Sequence, residues 1–238
     1  MPLLPPLQDR DRQPEIMDRP DLDPAAHHRA LRGLARINRW SRSVVAIWPV
    51  VEDAARQTHG RPVRVFDLAC GAGDVLVGLW RRAAKAGVPV ALDGSDISSV
   101  ALEHAARRAA EAGAVVRLFQ ADALRDTLPD GYDVVCTSLF LHHLADDEAV
   151  AVLTRMKQCT ERVVAVDDLL RSPAGYALAW AGTRLLTRSR VVHADGPLSV
   201  RAAFTVPEVR QLADRAGLTG ATVRRHWPYR FLLTWSRG

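Results

Sequence analysis

The chain has 238 residues, 48% of them hydrophobic and 25% charged, with a formal net charge of +5. That length fits one domain of α/β size and buries a core without disulfide help. The three cysteines, Cys70, Cys136 and Cys159, are odd in number and scattered, which speaks against a disulfide framework and for a reducing compartment.

Residues 1–24 hold prolines and charges without a sustained period and read as an extended or mobile tail. Nothing in them has the apolar core of a targeting segment. The longest apolar stretches, such as "SVVAIWPVV", fall far short of the ~20 residues that span a bilayer. A cytoplasmic location is expected.

From His27 to Arg56 an apolar stripe recurs at three- and four-residue steps: Leu31, Leu34, Ile37, Trp40, Val44, Ile47 and Val51. Residues 25–58 are expected to form an N-terminal helical cap, kinked or divided at Pro49. Arg29, Arg32, Arg36 and Arg39 share another face. Solvation explains that row, because a nucleic-acid surface would interleave aromatics.

A regular alternation follows. "PVRVFDLA" reads as a strand, "DVLVGLWRRAAKAG" as a helix and "VPVALDGSD" as a second strand. "SSVALEHAARRAAEAG" is a helix with Ser98 as N-cap and Gly113 past its end. "VVRLFQAD" and "YDVVCTSLFL" are strands three and four, "DDEAVAVLTRMKQC" a helix and "RVVAVDDLL" strand five. Strands alternating with helices of this length predict a parallel sheet covered on both faces. The stretch Arg171–Phe204 breaks the rhythm: "YALAWAGTRLLT" looks helical and "VVHADGPLSVRAAF" looks like a loop. An irregular piece at a strand's carboxyl end suggests a lid over residues 172–204. "TVPEVRQLADRAGL" is a helix that Thr205 and Glu208 can cap, and "TGATVRRHW" and "YRFLLTWSR" are two closing strands joined through Pro228.

The turn "DLACGAGD" carries the first chemistry. Gly71 and Gly73 let the backbone approach a ligand and the next helix pack closely. Asp96 ends strand two where a carboxylate can accept ribose hydroxyls. Asp122, in "FQADAL", ends strand three within reach of an adenine amino group. A dinucleotide is disfavoured: Leu76 stands where its fingerprint needs glycine, and Asp67 would repel a pyrophosphate. A carboxylate network there suits a cofactor bearing a cation.

These three motifs resemble those of the class I S-adenosylmethionine-dependent methyltransferases. "YDVVCTSLFLHHL" resembles the fourth-strand motif of their small-molecule branch, which includes quinone-biosynthesis and natural-product O-methyltransferases. The resemblance covers about residues 61–170, and the last helix and two strands agree with it. It departs at Ala69, where the family often has glycine, and at "KQCTERV", which lacks the usual proline-glycine-glycine. It implies a Rossmann-like, seven-stranded, mostly parallel sheet with the last strand antiparallel and S-adenosylmethionine as cofactor. Asp67, Ala69, Gly71 and Gly73 would line the methionine half. Asp96 and Ile97 would hold the ribose and flank adenine, Asp122 and Ala123 would meet the adenine edge, and Leu139 would lie near the cofactor. Residues 59–238 would form the methyltransferase domain.

Methyl transfer to a hydroxyl benefits from a base. His142 and His143 follow strand four directly, and adjacent side chains cannot both point one way. Asp168, at the end of strand five, could orient a histidine, as in similar O-methyltransferases; Asp167 competes for that role, and strand alternation sends one of the two to the other face. His193 and Arg201 lie in the expected lid. Metal ligation is not expected, because the pairs His27–His28 and His142–His143 have no carboxylate or cysteine at ligand spacing. Cys70 is expected to pack. Trp40, Trp48 and Trp180 fall in segments that would cap the site and suit an apolar acceptor, although core packing explains each equally well.

The expected function is methylation of a phenolic or quinol-like hydroxyl of a secondary metabolite. The alternatives are carbon methylation of a quinone-type ring precursor, or S-adenosylmethionine binding without transfer. The partner is then a small-molecule acceptor, with no nucleic acid and no membrane, and a homodimer is left open. "TSLFLHHL" stands where amino-group methylases of adenine or glutamine carry an Asn/Asp-Pro-Pro-Tyr turn.

Overall fold

A computed structural model describes residues 7–18, the single residues 23, 29, 30, 33 and 37, and residues 42–238. The elements in chain order are α1 (Ser43–Arg56), β1 (Val63–Leu68), α2 (Asp74–Ala86), β2 (Val90–Asp96), α3 (Ser99–Glu111), β3 (Val116–Gln120), β4 (Tyr132–Ser138), α4 (Asp146–Cys159), β5 (Thr160–Leu169), α5 (Pro173–Leu186), α6 (Arg190–Ala202), α7 (Val206–Arg215), β6 (Thr222–His226) and β7 (Arg230–Ser236). Short 3-10 turns cover Ile16–Asp18 and Leu141–His143.

The seven strands form one sheet in the order β3-β2-β1-β4-β5-β7-β6. Strands β1 to β5 run parallel, and β7 lies antiparallel between β5 and β6. This is the Rossmann-like, seven-stranded, mostly parallel sheet that the resemblance implies. Strand order reverses between β1 and β4, which opens a crevice at their carboxyl ends.

Each face of the sheet has its own core. On one, Leu153 and Met156 of α4 and Val209 and Leu212 of α7 meet Phe66, Val135, Phe231 and Leu233. On the other, Ile47 and Val51 of α1 and Leu76 and Leu79 of α2 meet Val65, Val134 and Leu232. Val-rich strands buried on both faces need this double cover. The helix ends follow local chemistry: Ala101 N–H donates to Ser98 Oγ at 3.2 Å, and Thr205 N–H donates to Glu208 Oε2 at 2.7 Å.

Several elements depart from the sequence reading. The helix ending at Arg56 starts only at Ser43, because Arg42 sits in the left-handed region at φ 63°. Pro49 lies inside α1 without ending it. His27, His28, Leu31, Arg32, Leu34, Arg36, Arg39 and Trp40 lie outside the described residues. The stretch read as a loop in the lid is α6, a continuous helix through Pro197. Ser189 caps it, and Val192, Asp195, Pro197 and Val200 are buried; tertiary packing overrides the local Asp-Gly-Pro signal. Strand four stops at Ser138, three residues early, where Leu139 takes φ 56°. Helix α4 runs straight into β5 at Thr160, so no loop replaces the missing proline-glycine-glycine.

Residues 7–18 of the expected tail lie against the body. Arg10 donates to the carbonyls of His142 (2.8 Å) and Leu144 (2.6 Å) and stacks over Phe204. Asp195 accepts the N–H groups of Ile16 and Met17 at 2.9 and 3.0 Å.

Candidate active site

The crevice at the carboxyl ends of β1, β2 and β4 opens into a cavity of about 1700 Å³. Asp67, Ala69, Gly71, Asp96, Ile97, Asp122, Ala123, Leu139, His142 and His143 line it together. Gly73 does not line it. A Cβ there would stand 3.0 Å from the Ala105 Cβ, and its φ is 72°. Its task is to seat α2 against the alanine face of α3 (Ala101, Ala105, Ala109).

At Gly71 a Cβ would meet nothing within 4 Å, and φ is 53°. The open space in front of that backbone is the cavity itself. Ala69, in the family's glycine position, has φ 57°. A left-handed alanine costs roughly 1 kcal/mol, so the turn is held by other groups. One is Asp96: its carboxylate accepts Gly71 N–H at 2.8 Å and Ser98 N–H at 2.9 Å. This bracing role was not read from the sequence. Asp96 therefore fixes the glycine turn while keeping lone pairs for a ligand. Asp122 likewise closes its own turn, accepting Leu124 N–H at 2.8 Å. Gln120 holds Ile97 by donating to its carbonyl at 2.8 Å, and the Ile97 side chain stays exposed.

Asp67 is 1% exposed, and its Oδ2 has no hydrogen-bond partner among the described residues. Burial first, then the nearby Asp96 charge, push its carboxyl up to about 8. The Cys136 Sγ lies 3.8 Å from Oδ1; a buried carboxylate with its other oxygen unpartnered at the edge of a cavity suits a cationic ligand, and S-adenosylmethionine carries both an ammonium and a sulfonium. The residues present fit that cofactor.

Two expected results follow. Asp96→Ala removes the brace on Gly71 together with the carboxylate expected to accept the ribose hydroxyls, so calorimetry should find S-adenosylmethionine affinity down roughly ten- to hundredfold. Asp67, with its folded carboxyl raised, binds more protons folded than unfolded between the ordinary carboxylate range and about pH 8, so its contribution to stability falls as pH rises through that window. A bound cation favours the ionised form. Cofactor binding below about pH 8 should therefore release a proton, and affinity should climb as pH approaches 8. Calorimetry in buffers of different ionisation heat reads that proton; no release would remove Asp67 as the cation's partner.

Across the cavity stands the histidine pair. His142 is 3% exposed, and its Nδ1 lies 2.6 Å from Asp168 Oδ1. Its own backbone N–H donates to Asp168 Oδ2 at 3.1 Å, and Leu169 N–H donates to Oδ1 at 2.7 Å. Asp168 sits behind His142, off the cavity wall. Burial raises its carboxyl, but the His142 charge and these hydrogen bonds outweigh burial and hold it below the usual range. Asp167 points to the other face, paired with Arg230 (2.7 Å) and His226 (2.7 Å). The His143 ring tilts against His142 with centroids 4.2 Å apart.

Other expected participants lie elsewhere. His193 Nε2 bonds the Thr187 carbonyl at 2.8 Å, and Arg201 pairs with Asp11. Trp48 is core and Trp180 is exposed, and neither lines the cavity, whereas Trp227 does. Cys70 packs against the wall with its thiol raised by burial. Phe140, Leu178, Leu186, Val192 and Val200 add apolar side chains to the cavity lining. One residue that sequence reasoning missed is Glu15. Its Oε1 lies 3.9 Å from His142 Nε2. Glu15, His142 and His143 bring potential ligand atoms within 4.8 Å of one another, a grouping close enough to share a proton or a cation. Only the tertiary docking of residues 7–18 creates it.

The methyltransferase-domain family matches residues 65–162. The demethylmenaquinone methyltransferase of Thermus thermophilus is 34% identical over 131 residues, 54% of each chain, so the match spans about half the length of that relative. Among solved structures, the S-adenosylmethionine-dependent methyltransferase SibL superposes with a TM-score of 0.68 at 20% identity, over 95% of this chain and 63% of its own. The plantazolicin methyltransferase BamL, in complex with a triazolic desmethylPZN analog and SAH, gives 0.64 at 16% identity over 88% and 89% of the two chains. The magnesium protoporphyrin IX methyltransferase of Synechocystis PCC 6803, with bound SAH, gives 0.60 at 18% identity over 90% and 95%.

Proposed function

We propose that this chain is an S-adenosylmethionine-dependent methyltransferase and that it methylates the hydroxyl of a phenolic or quinol-like acceptor. The observation that carries this reading is the buried His142–Asp168 pair on the cavity wall. The cofactor supplies an electrophilic methyl group with a good leaving group. The chain then has two tasks, alignment and removal of the hydroxyl proton.

Asp96 and Asp122 hold the nucleoside end, and Asp67 faces the cationic end. Asp168 takes the Nδ1 proton of His142 in its hydrogen bond, which leaves the Nε2 lone pair facing the acceptor. Leu178, Leu186, Val192 and Val200 of α5 and α6 give an apolar wall for a ring, and residues 172–204 act as a lid that excludes water. No helix of the described residues is long and apolar enough to cross a membrane.

The test is formation of S-adenosylhomocysteine from S-adenosylmethionine with a series of 4-substituted phenols and hydroquinones. Product analysis locates the methyl group. Oxygen-linked methyl supports this reading, and binding without turnover of any probe refutes it. Carbon-linked methyl would favour a second reading, methylation of a quinone-type ring, which the 34% identity to a demethylmenaquinone methyltransferase supports.

A further inference from the structure

His142 is flanked by two carboxylates, and only one of them has a route outward. Asp168 is 1% exposed with both oxygens committed to His142 and Leu169. A proton shared there has no exit. On the other side, Glu15 stands 3.9 Å from Nε2. That gap is too long for a direct hydrogen bond and short enough for one oxygen atom to span with two bonds of about 2.8 Å.

Glu15 is held in place. Its Oε1 accepts the Ser199 hydroxyl, and Asp195 fixes the next two backbone N–H groups. Beyond it lies a second, smaller cavity of about 290 Å³, lined by Arg12, Gln13, Pro14 and Ala202. Glu15, His142 and His143 line both cavities, so they form the wall between them.

We propose that Glu15 is the proton-relay residue of this active site, a role that rests on the hydroxyl-methylation reading above. As the acceptor O–H bond breaks, its proton goes to His142 Nε2 and the oxygen takes the methyl group from sulfur. The imidazolium then passes that proton to the Glu15 carboxylate, which gives it to water in the second cavity. The base is reset without opening the main cavity. The groups facing His142 are Asp168, Glu15 and His143, with Arg10 at its carbonyl. Those facing Glu15 are His142, His143 and the Ser199 hydroxyl, with Arg12 at the cavity mouth.

The experiment compares wild type, Glu15→Gln and Glu15→Ala on the best phenol of the series. Glu15→Gln should lower kcat by about tenfold or more, with KM for the phenol and calorimetric cofactor affinity near wild type. Sodium acetate should restore turnover in Glu15→Ala, and sodium chloride at equal ionic strength should not. Unchanged kcat in Glu15→Gln, or equal rescue by chloride, overturns the proposal. So does loss of wild-type activity in a chelator with recovery on adding zinc or manganese, because the same three side chains would then be holding an ion. If wild type turns over no probe, the hydroxyl-methylation reading fails. Glu15 is then judged by ring-nitrogen NMR titration of His142. A lower midpoint in Glu15→Gln supports the coupling, and an unmoved midpoint overturns it.

Discussion

His142→Ala lowers turnover of a weakly acidic phenol by about 10²–10⁴-fold and leaves S-adenosylmethionine binding near wild type. The expectation rests on where the two ring nitrogens go. Nδ1 is engaged by Asp168 at 2.6 Å, so Nε2 is the atom turned toward the acceptor. Among the described residues the imidazole meets Asp168, Glu15 and His143, and none of these is expected to bind the cofactor, so affinity has no reason to change. The loss should shrink for acidic phenols, which ionise without help. His143→Ala should cost much less, because Asp168 orients the ring of His142 and not that of its neighbour. If both alanine variants keep near wild-type turnover, general-base catalysis by this pair is wrong.

The parts of this molecule legible in its sequence are those decided by local chemistry. The alternation of apolar strands with helices of matched length gave the parallel sheet. Gly71, Gly73, Asp96 and Asp122 marked the carboxyl ends of three strands, because turns that approach a ligand need particular residue types there. The capping pair Thr205 and Glu208 announced α7. What stayed hidden depends on contacts far along the chain. Helix α6 contains Asp195, Gly196 and Pro197, a run with loop chemistry, and forms because Val192 and Val200 bury and Asp195 receives the N–H groups of Ile16 and Met17. Arg42 interrupts an unbroken apolar stripe, which periodicity alone does not reveal. Glu15 was invisible as a site residue for the same reason: a segment rich in prolines and charges carries no period, and its docking is set by Arg10, Asp195 and Ser199.

The two aspartates of β5 show how one alternation divides the labour. Asp167 neutralises the fully buried Arg230 and bonds His226, tying β5 to β7 and to the end of β6. Asp168, one residue on, faces the opposite way and serves His142. The sequence offered both as partners for a histidine. The side of the sheet on which the His142 turn lies decides between them.

That division gives the second large effect. Asp168→Asn keeps the shape of the side chain and removes its charge. Turnover should fall by about 10²-fold or more, because the imidazolium formed at His142 loses its counter-charge in a buried site. Orientation cannot rescue it. With the amide oxygen toward Nδ1 and Leu169 N–H, the amide nitrogen faces the His142 backbone N–H, donor against donor. Flipped, it meets the Leu169 N–H and forces Nδ1 to accept, which places the proton on Nε2 and abolishes the base. Either arrangement leaves a buried donor unmatched, at about 1–3 kcal/mol. For a chain of this size each kcal/mol lowers the Tm by about 2–4 °C. The stabilising effect of Asp168 also has a direction with pH. Its carboxyl is held below the usual range in the folded state, so its contribution is complete above that range and is lost as pH falls through it. The Asp168→Asn protein lacks that acid-sensitive part, so the gap in Tm between the two proteins should be widest near neutrality and close in acid. Cofactor affinity should be unchanged, since Asp168 lies behind His142 and off the cavity wall. Wild-type turnover of a weakly acidic phenol by Asp168→Asn would mean that the hydroxyl proton leaves by a route that does not pass through His142.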